Sequence, residues 1–313
     1  MDTTVGERDI RGANQYGPET TRGYWRMTLE HLARDPIGMI AGVVILWCIG
    51  IALTAPLIGS HILRFDPVKQ NLDNTFAAPG GRHILGTDEL GRDTFIRLLY
   101  GAQVSVGVGL LSVLIAGIVG TGVGVIGGFY GGIVDDALMR VVDLLKGLPA
   151  IYVFIFMSIL FRPNVLTLSL IIAFVGWANV ARLVRGEALI VRHSEFVAAA
   201  VSLGATRFRM IFKHVLPHVL PTLLVATGLG FGQAILIEAA LDFLGLGIAP
   251  PTPSWGNMLQ NAQSYFAYSW TLVLAPGVLI FVTVLAAAIL GNALRDAFDP
   301  KLLTVGSERR WSN

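Results

Sequence analysis

Glu238 lies inside an apolar run, Ala234-Ile-Leu-Ile-Glu-Ala-Ala-Leu-Asp-Phe-Leu-Gly-Leu-Gly247. A carboxylate in such a run is costly in lipid, and it marks either a polar path through a bundle or a bond to neighbouring backbone, Arg or Lys. Glu238, with Asp242 close by towards one end of its run, is therefore a candidate pathway or structural residue. Other spacings suggest chemistry without completing it. Gly122-Val-Gly124-Val-Ile-Gly127 has the letters of a dinucleotide-binding turn. That turn needs a strand before it and a helix opening at it, whereas these glycines sit within apolar sequence. Gly120, Gly124 and Gly128, four apart, make instead one small-residue face where another helix can approach closely, and Gly228, Gly230 and Gly232 offer a second. His214 and His218 are also four apart, but Pro217 falls between them and no carboxylate completes an HExxH metal site. No GxxxxGK[ST] occurs, so the chain has no phosphate-cradling loop of its own, and any nucleotide energy must come from another polypeptide. The six histidines lie in tails and loops, and no nucleophilic Ser, His and Asp set is suggested. No catalytic residue, metal or cofactor is expected in this chain.

The elements around these residues belong to a bilayer. Hydrophobic residues make up 54% of the 313 and charged residues only 14%, against about 25% in soluble domains. A hydrocarbon layer about 30 Å thick needs about 20 apolar residues of helix, because backbone groups there must pair within the segment. Six stretches qualify or nearly so: 37–58, 102–129, 134–161 with an amphipathic first half, 165–181, 219–244 and 272–293. The expectation is an all-α integral membrane protein with six transmembrane helices. Residues 1–36 are polar and carry no basic segment leading straight into a short apolar core, so the first span reads as a retained anchor. Cys48, the single cysteine, sits in that span and reads as a small buried hydrophobe.

Six spans put both termini on one side. With the termini inside, 17 of the 23 Lys and Arg face the interior, the orientation the positive-inside rule favours. The other six, among them Arg64, Arg82, Arg92 and Arg97, share the outer side with Asp66, Asp73, Asp88, Glu89 and Asp93. A net charge of +2 is too small to suggest nucleic acid, and lipid headgroups account for the basic residues. Asp136 with Arg140, and Asp143 with Lys146, have helical spacing for surface ion pairs.

Between two spans on the inner side lies Glu195-Phe-Val-Ala-Ala-Ala-Val-Ser-Leu-Gly204-Ala-Thr-Arg207-Phe-Arg209-Met-Ile-Phe-Lys213-His-Val-Leu-Pro217, a polar, helix-like piece held out of the membrane. Small residues at 198–200 let a helix dock closely, Gly204 offers a break in direction, and Pro217 and Pro221 re-start the chain as it enters the fifth span. This segment resembles the cytoplasmic EAA motif of permease subunits of binding-protein-dependent ABC importers. Ala199, Ala200, Gly204, Leu216 and Pro217 fall on the pattern, whereas Ala198 stands where the family has Glu and His214 where it has Ile. Glu195, three residues before Ala198, is a candidate substitute. His83-Ile-Leu-Gly86-Thr87-Asp88-Glu-Leu-Gly91-Arg92-Asp93 looks like the HxLGTDxxGRD signature of the dipeptide, oligopeptide and nickel permease group. Phe243-Leu-Gly-Leu-Gly247, Pro250-Pro-Thr-Pro-Ser-Trp255-Gly-Asn-Met258, the ending Leu294 to Pro300, and Tyr24-Trp25 with Arg34-Asp-Pro36 agree. The likeness extends over about residues 24–302 and is to the second of the paired permeases.

The resemblance implies the type I importer permease fold, a five-helix core plus an N-terminal helix. It divides the chain into a cytoplasmic tail 1–36, a first span and outer loop 37–101, a transporter domain 102–294 with coupling loop 182–218, and a cytoplasmic tail 295–313. It implies a bacterial inner membrane, a second permease forming the path, two ATPase subunits carrying ATP and Mg, and an extracytoplasmic solute-binding protein. The substrate would be a small peptide or a related solute, the group handling dipeptides, oligopeptides, nickel, opines and glutathione. Glu195, Ala199, Ala200, Gly204, Arg207, Arg209, Leu216 and Pro217 would then couple to the ATPases. The segment Gly86, Thr87, Asp88, Gly91, Arg92, Asp93 and the loop 248–258 are candidates for binding-protein docking, for contact with the partner permease, or for self-capping loop structure. The rival is a secondary transporter working alone, for which paired intramembrane charges would be expected.

Overall fold

In the computed structural model, residues 21–63, 66–81, 83–260 and 262–298 are described. The tail to residue 20, Arg64, Arg82, and the C-terminus from 299, with Pro300, lie outside the described residues. The described chain is helical. Its extended pairing is limited to the bridges Gly80 to His83 and Thr87 to Asp93.

The polar leader contains a helix, α1 (Thr21–Arg34), with an Arg26 to Glu30 pair one turn apart. Asp35 then caps α2 (Pro36–Leu57) by accepting from the Ile37 amide at 3.0 Å, and Pro36, which has no amide to leave unpaired, opens the helix. The second long helix, α3 (Thr94–Tyr130), starts eight residues before its apolar run because Asp93 caps it, accepting from Ile96 N at 2.9 Å. At 37 residues it is about 55 Å long, enough to cross a membrane and project from it.

The stretch expected as one span over 134–161 is not one straight helix. The chain forms α4 (Gly132–Gly147) and α5 (Ala150–Phe161), bent by 86° about Leu148 and Pro149. Pro149 drives Leu148 into extended backbone, ψ 133°, and ends the first helix. The amphipathic half therefore turns away from the apolar half. With the bent pair taken as one span there are six, and without it five.

α6 (Val165–Arg192) runs past its apolar part to Arg192. It packs along α3 at the small-residue face: a Cβ on Gly120 would lie 2.7 Å from the Trp177 carbonyl oxygen, on Gly124 2.6 Å from that of Ala181, and on Gly128 2.8 Å from that of Arg185. Gly122, off this face, meets nothing within 4 Å. The helices α3 and α6 thus run side by side in the same direction. Asp135 of α4 pairs with Arg185, Asp143 with Arg182, and Lys146 donates to Asn179 at 2.7 Å. The pair anticipated between Asp143 and Lys146 is thus replaced by bonds tying α4 across to α6.

After α7 (Glu195–Ser202), α8 (Arg207–Met210), a π-helical turn Ile211–Val215 and α9 (Leu216–Phe243) form one continuous 37-residue helix. Pro217 and Pro221 do not re-start the chain. The wider π turn lies where Pro217 lacks a donor and crowds the preceding carbonyls, so the helix passes through. The loop beyond contains the short α10 (Trp255–Met258) and α11 (Ala262–Tyr265), and α12 (Thr271–Phe298) returns along α9, with Gly232 against Ala287 and Gly228 against Gly291. The main core joins α2, α3, α9 and α12 through Ala41, Cys48, Ala102, Phe231, Ile235 and Ala287. Cys48 is buried, its sulfur 3.4 Å from the Thr283 hydroxyl. One end of the bundle carries α4, α7 and α8 and is called the basic end. The other carries residues 66–93 and 244–270 and is called the opposite end.

Candidate functional site

At the basic end the chain builds a short helix followed by a sharp turn. Glu195 is the first residue of α7, where a carboxylate suits the helix dipole, and Ala198 follows one turn later on the same helix. Gly204 closes α7 with φ +81°, a conformation that costs an L residue about 1 kcal/mol. Its amide donates to Val201 O at 2.9 Å and that of Ala205 to Ala200 O at 3.0 Å, the paired bonds of a helix-terminating glycine turn. Thr206 then caps α8, accepting weakly from Arg209 N at 3.4 Å. Beneath, Val197, Met210, Val215 and Val219 bury against Val184, Ala188 and Val191 of α6, so the turn sits on a packed base. Phe196 stacks on His218 at 5.2 Å between ring centroids and lies 6.1 Å from the His214 ring, so both histidines face α7.

The outward surface of this structure is apolar and basic together. Leu203 is 88% exposed and Phe208 71%, with Val201 and Phe212 beside them; Glu195, Ala199, Arg207 and Arg209 are exposed as well. Ala200, Leu216 and Pro217 are partly buried and belong to its base. Leu203 and Phe208 are apolar letters in a polar loop, a signal visible in the sequence but masked there by the motif residues around them.

A groove of about 770 Å³ runs between α3, α5, α6 and α9. Its wall is mostly aliphatic, with Ser112, Asn179, Thr227 and Gln233 as its polar groups and no charged residue. The Ser112 hydroxyl has no hydrogen-bond partner among the described residues. Gln233 and Asn179, each the one amide in its apolar run, could have been singled out on sequence; the bond from Lys146 of α4 to Asn179 could not.

Glu238 is fully buried but is not part of the groove wall. It accepts from the Ser105 hydroxyl at 2.9 Å, and that hydroxyl in turn accepts from Trp255 N at 3.1 Å. Asp242, one turn further, accepts from the Ser254 hydroxyl and from Ile248 N at 2.6 Å. Ser105 was not singled out in the sequence, and Ser254 entered only as a letter of the 250–258 motif, because they lie 133 and 12 residues from the carboxylates they bond.

The signature at the opposite end bonds chiefly to itself. Asp88 pairs with Arg92 at 2.6 Å and Arg97 at 3.3 Å, and accepts from the amides of Leu90 and Arg92. Arg92 also reaches Glu89 at 2.9 Å. Asp93 caps α3 and meets His83 Nδ1 at 2.8 Å. The Thr87 hydroxyl donates to Asn74 O and accepts from Ala77 N at 2.8 Å. Gly86 and Gly91 have φ +78° and +68°, with the Ala77 and Asn71 carbonyls where a Cβ would be. Thr87, Asp88, Arg92 and Asp93 are all buried.

Comparison with known proteins fits this geometry. The chain is 37% identical over 278 residues to a dipeptide transport system permease protein, DppC, of Alkalihalophilus pseudofirmus, covering 89% of this chain and 90% of that protein. It is 34% identical to the glutathione transport system permease protein GsiD of Pectobacterium atrosepticum over 91% of this chain and 93% of that one. It is also 34% identical to the oligopeptide transport system permease protein OppC of Bacillus subtilis, over 89% and 90%. Among solved structures, the methionine ABC transporter MetNI in inward-facing conformations matches with a TM-score of 0.53 at 19% identity, over 64% of this chain and 96% of that chain, a likeness of fold. Residues 120–304 match the family described as binding-protein-dependent transport system inner membrane component. The chain belongs to that family, and it is a membrane permease subunit of an ABC importer.

Proposed function

We propose that this permease forms, with a second permease, a path for small peptides, and that the basic end is the handle by which two ATPase subunits move it. The observation that carries the reading is the exposed apolar and basic surface of Val201, Leu203, Arg207, Phe208 and Arg209 around the Gly204 turn. Large apolar side chains so exposed beside arginines favour a protein partner in water over lipid alone. Ala198 leaves no glutamate at the motif position, so docking rests on shape, on the arginines and on Glu195, one turn away. In this orientation the basic end and both termini face the cytoplasm of a bacterial inner membrane. A binding protein delivers solute to the opposite end, and ATP with Mg binds on the ATPases.

The groove supports a peptide-like cargo. An uncharged wall with scattered amide and hydroxyl groups offers hydrogen bonds to peptide backbone without selecting a side chain, as passage of varied sequences requires. Tagging this chain in its native membrane and purifying in mild detergent tests the assignment. A second permease and an ATPase pair should co-purify, and the associated binding protein should take up dipeptides in preference to nickel complexes or glutathione. Recovery of this chain alone would contradict the assembly, and preference for another solute would contradict the peptide reading.

A further inference from the structure

The loop 244–258 at the opposite end is fastened to two full-length helices by buried polar bonds, although a loop there needs no such depth of attachment. Glu238, Ser105 and Ser254 are fully buried, and Asp242 and Trp255 are 1% exposed. Four tethers converge. The Ser254 hydroxyl and Ile248 N donate to Asp242 on α9, Trp255 N donates to Ser105 on α3, and Trp255 Nε1 donates to the Leu98 carbonyl of α3 at 3.0 Å. Ser105 then donates to Glu238, joining α3 to α9. Contact is backbone-close: a Cβ on Gly256 would lie 2.7 Å from the Ala239 Cα, and one on Gly101 3.0 Å from the Trp255 ring. Gly247 has the Asp242 carboxylate where its Cβ would be. Residues 249–252 are the exposed tip of this otherwise anchored loop.

The same α9 continues without a break to Arg207. A helix about 55 Å long thus has the anchored loop at one end and the exposed Leu203 to Phe208 turn at the other. We propose that Asp242 and Ser254, with Glu238 and Ser105, are positioning residues that clamp loop 244–258 to α9, so that its exposed tip and the basic-end turn move as one body. This rests on the importer reading. Two ends of one continuous helix that moves as a body share one equilibrium, so a change imposed at either end is felt at the other, and equally in both directions. Side-chain bonds between water-excluded groups resist slippage of the loop better than apolar contact alone, because a broken bond leaves a buried carboxylate unpaired.

The test uses the intact complex in lipid nanodiscs. Hydrogen exchange of peptides covering 244–258 is measured with and without trapping of the ATPases by ATP and vanadate. In the unaltered complex, trapping should change exchange of this segment by about fivefold or more. Ser254→Ala should remove that response while basal ATPase activity stays within about twofold of the unaltered complex. Ser254→Thr, which keeps the hydroxyl, should restore it. An unchanged response in Ser254→Ala overturns the clamp, as does no response in the unaltered complex. A parallel fall of response, assembly and basal activity assigns these bonds to folding alone and also overturns it. If no ATPase accompanies the permease, the importer assembly fails instead, and that is seen before any exchange is measured.

Discussion

Gly204 shows what one residue contributes at the basic end. Its positive φ lets α7 stop and the chain turn into α8, yet a Cβ there would meet nothing within 4 Å. A larger side chain therefore costs only about 1 kcal/mol of backbone strain and projects into the proposed docking surface. Gly204→Trp should insert and fold normally but abolish uptake, as transport assays in vesicles would show; normal uptake would remove the coupling role from this turn. Gly91 is the opposite case. It combines φ +68° with the Asn71 carbonyl where a Cβ would be, so Gly91→Ala should lower thermal stability of the purified chain by about 3 kcal/mol. Sequence alone gave these two glycines similar standing, because both sit in motifs. Only the neighbouring atoms separate a glycine needed for packing from one needed for a turn.

At the scale of helices, the four-residue glycine spacing in α3 was readable and the structure bears it out against α6. Gly124→Leu should force α3 from α6 at a cost of about 3 kcal/mol. Gly122→Leu, two residues away and facing open space, should fall within about 1 kcal/mol and in the stabilising direction, since leucine is the better helix former. Thermal unfolding in detergent compares the two, and equal effects would contradict the packing. What was not readable follows from the same physics. A hydropathy run does not reveal that Pro149 bends it by 86°, because both halves remain apolar. Nor does it reveal that α3 and the helix from Arg207 to Phe243 extend well beyond the hydrocarbon, since polar residues end the run but not the helix. Pro217 misled in the other direction, suggesting a break where a π turn absorbs the ring.

For the whole molecule, the all-helical membrane fold, the family and the polar segment at the basic end were legible from composition, charge and motif. The joins between distant residues were not: Ser105 with Glu238, and Arg185 with Asp135, pair across 133 and 50 positions, which no local spacing encodes. Orientation can be tested because Cys48 is buried and leaves introduced cysteines as the only reporters. Ile84→Cys, at the opposite end and more than half exposed, should react with an impermeant maleimide in intact spheroplasts, and Leu203→Cys only after permeabilisation. The reverse pattern would invert the topology. The central claim is that the Gly204 turn docks an ATPase, and a photo-crosslinking residue placed at Leu203 in the native membrane tests it most directly. An adduct with an ATPase subunit from position 203, and none from position 84, is the expected result; adducts of Leu203 with lipid alone would contradict it.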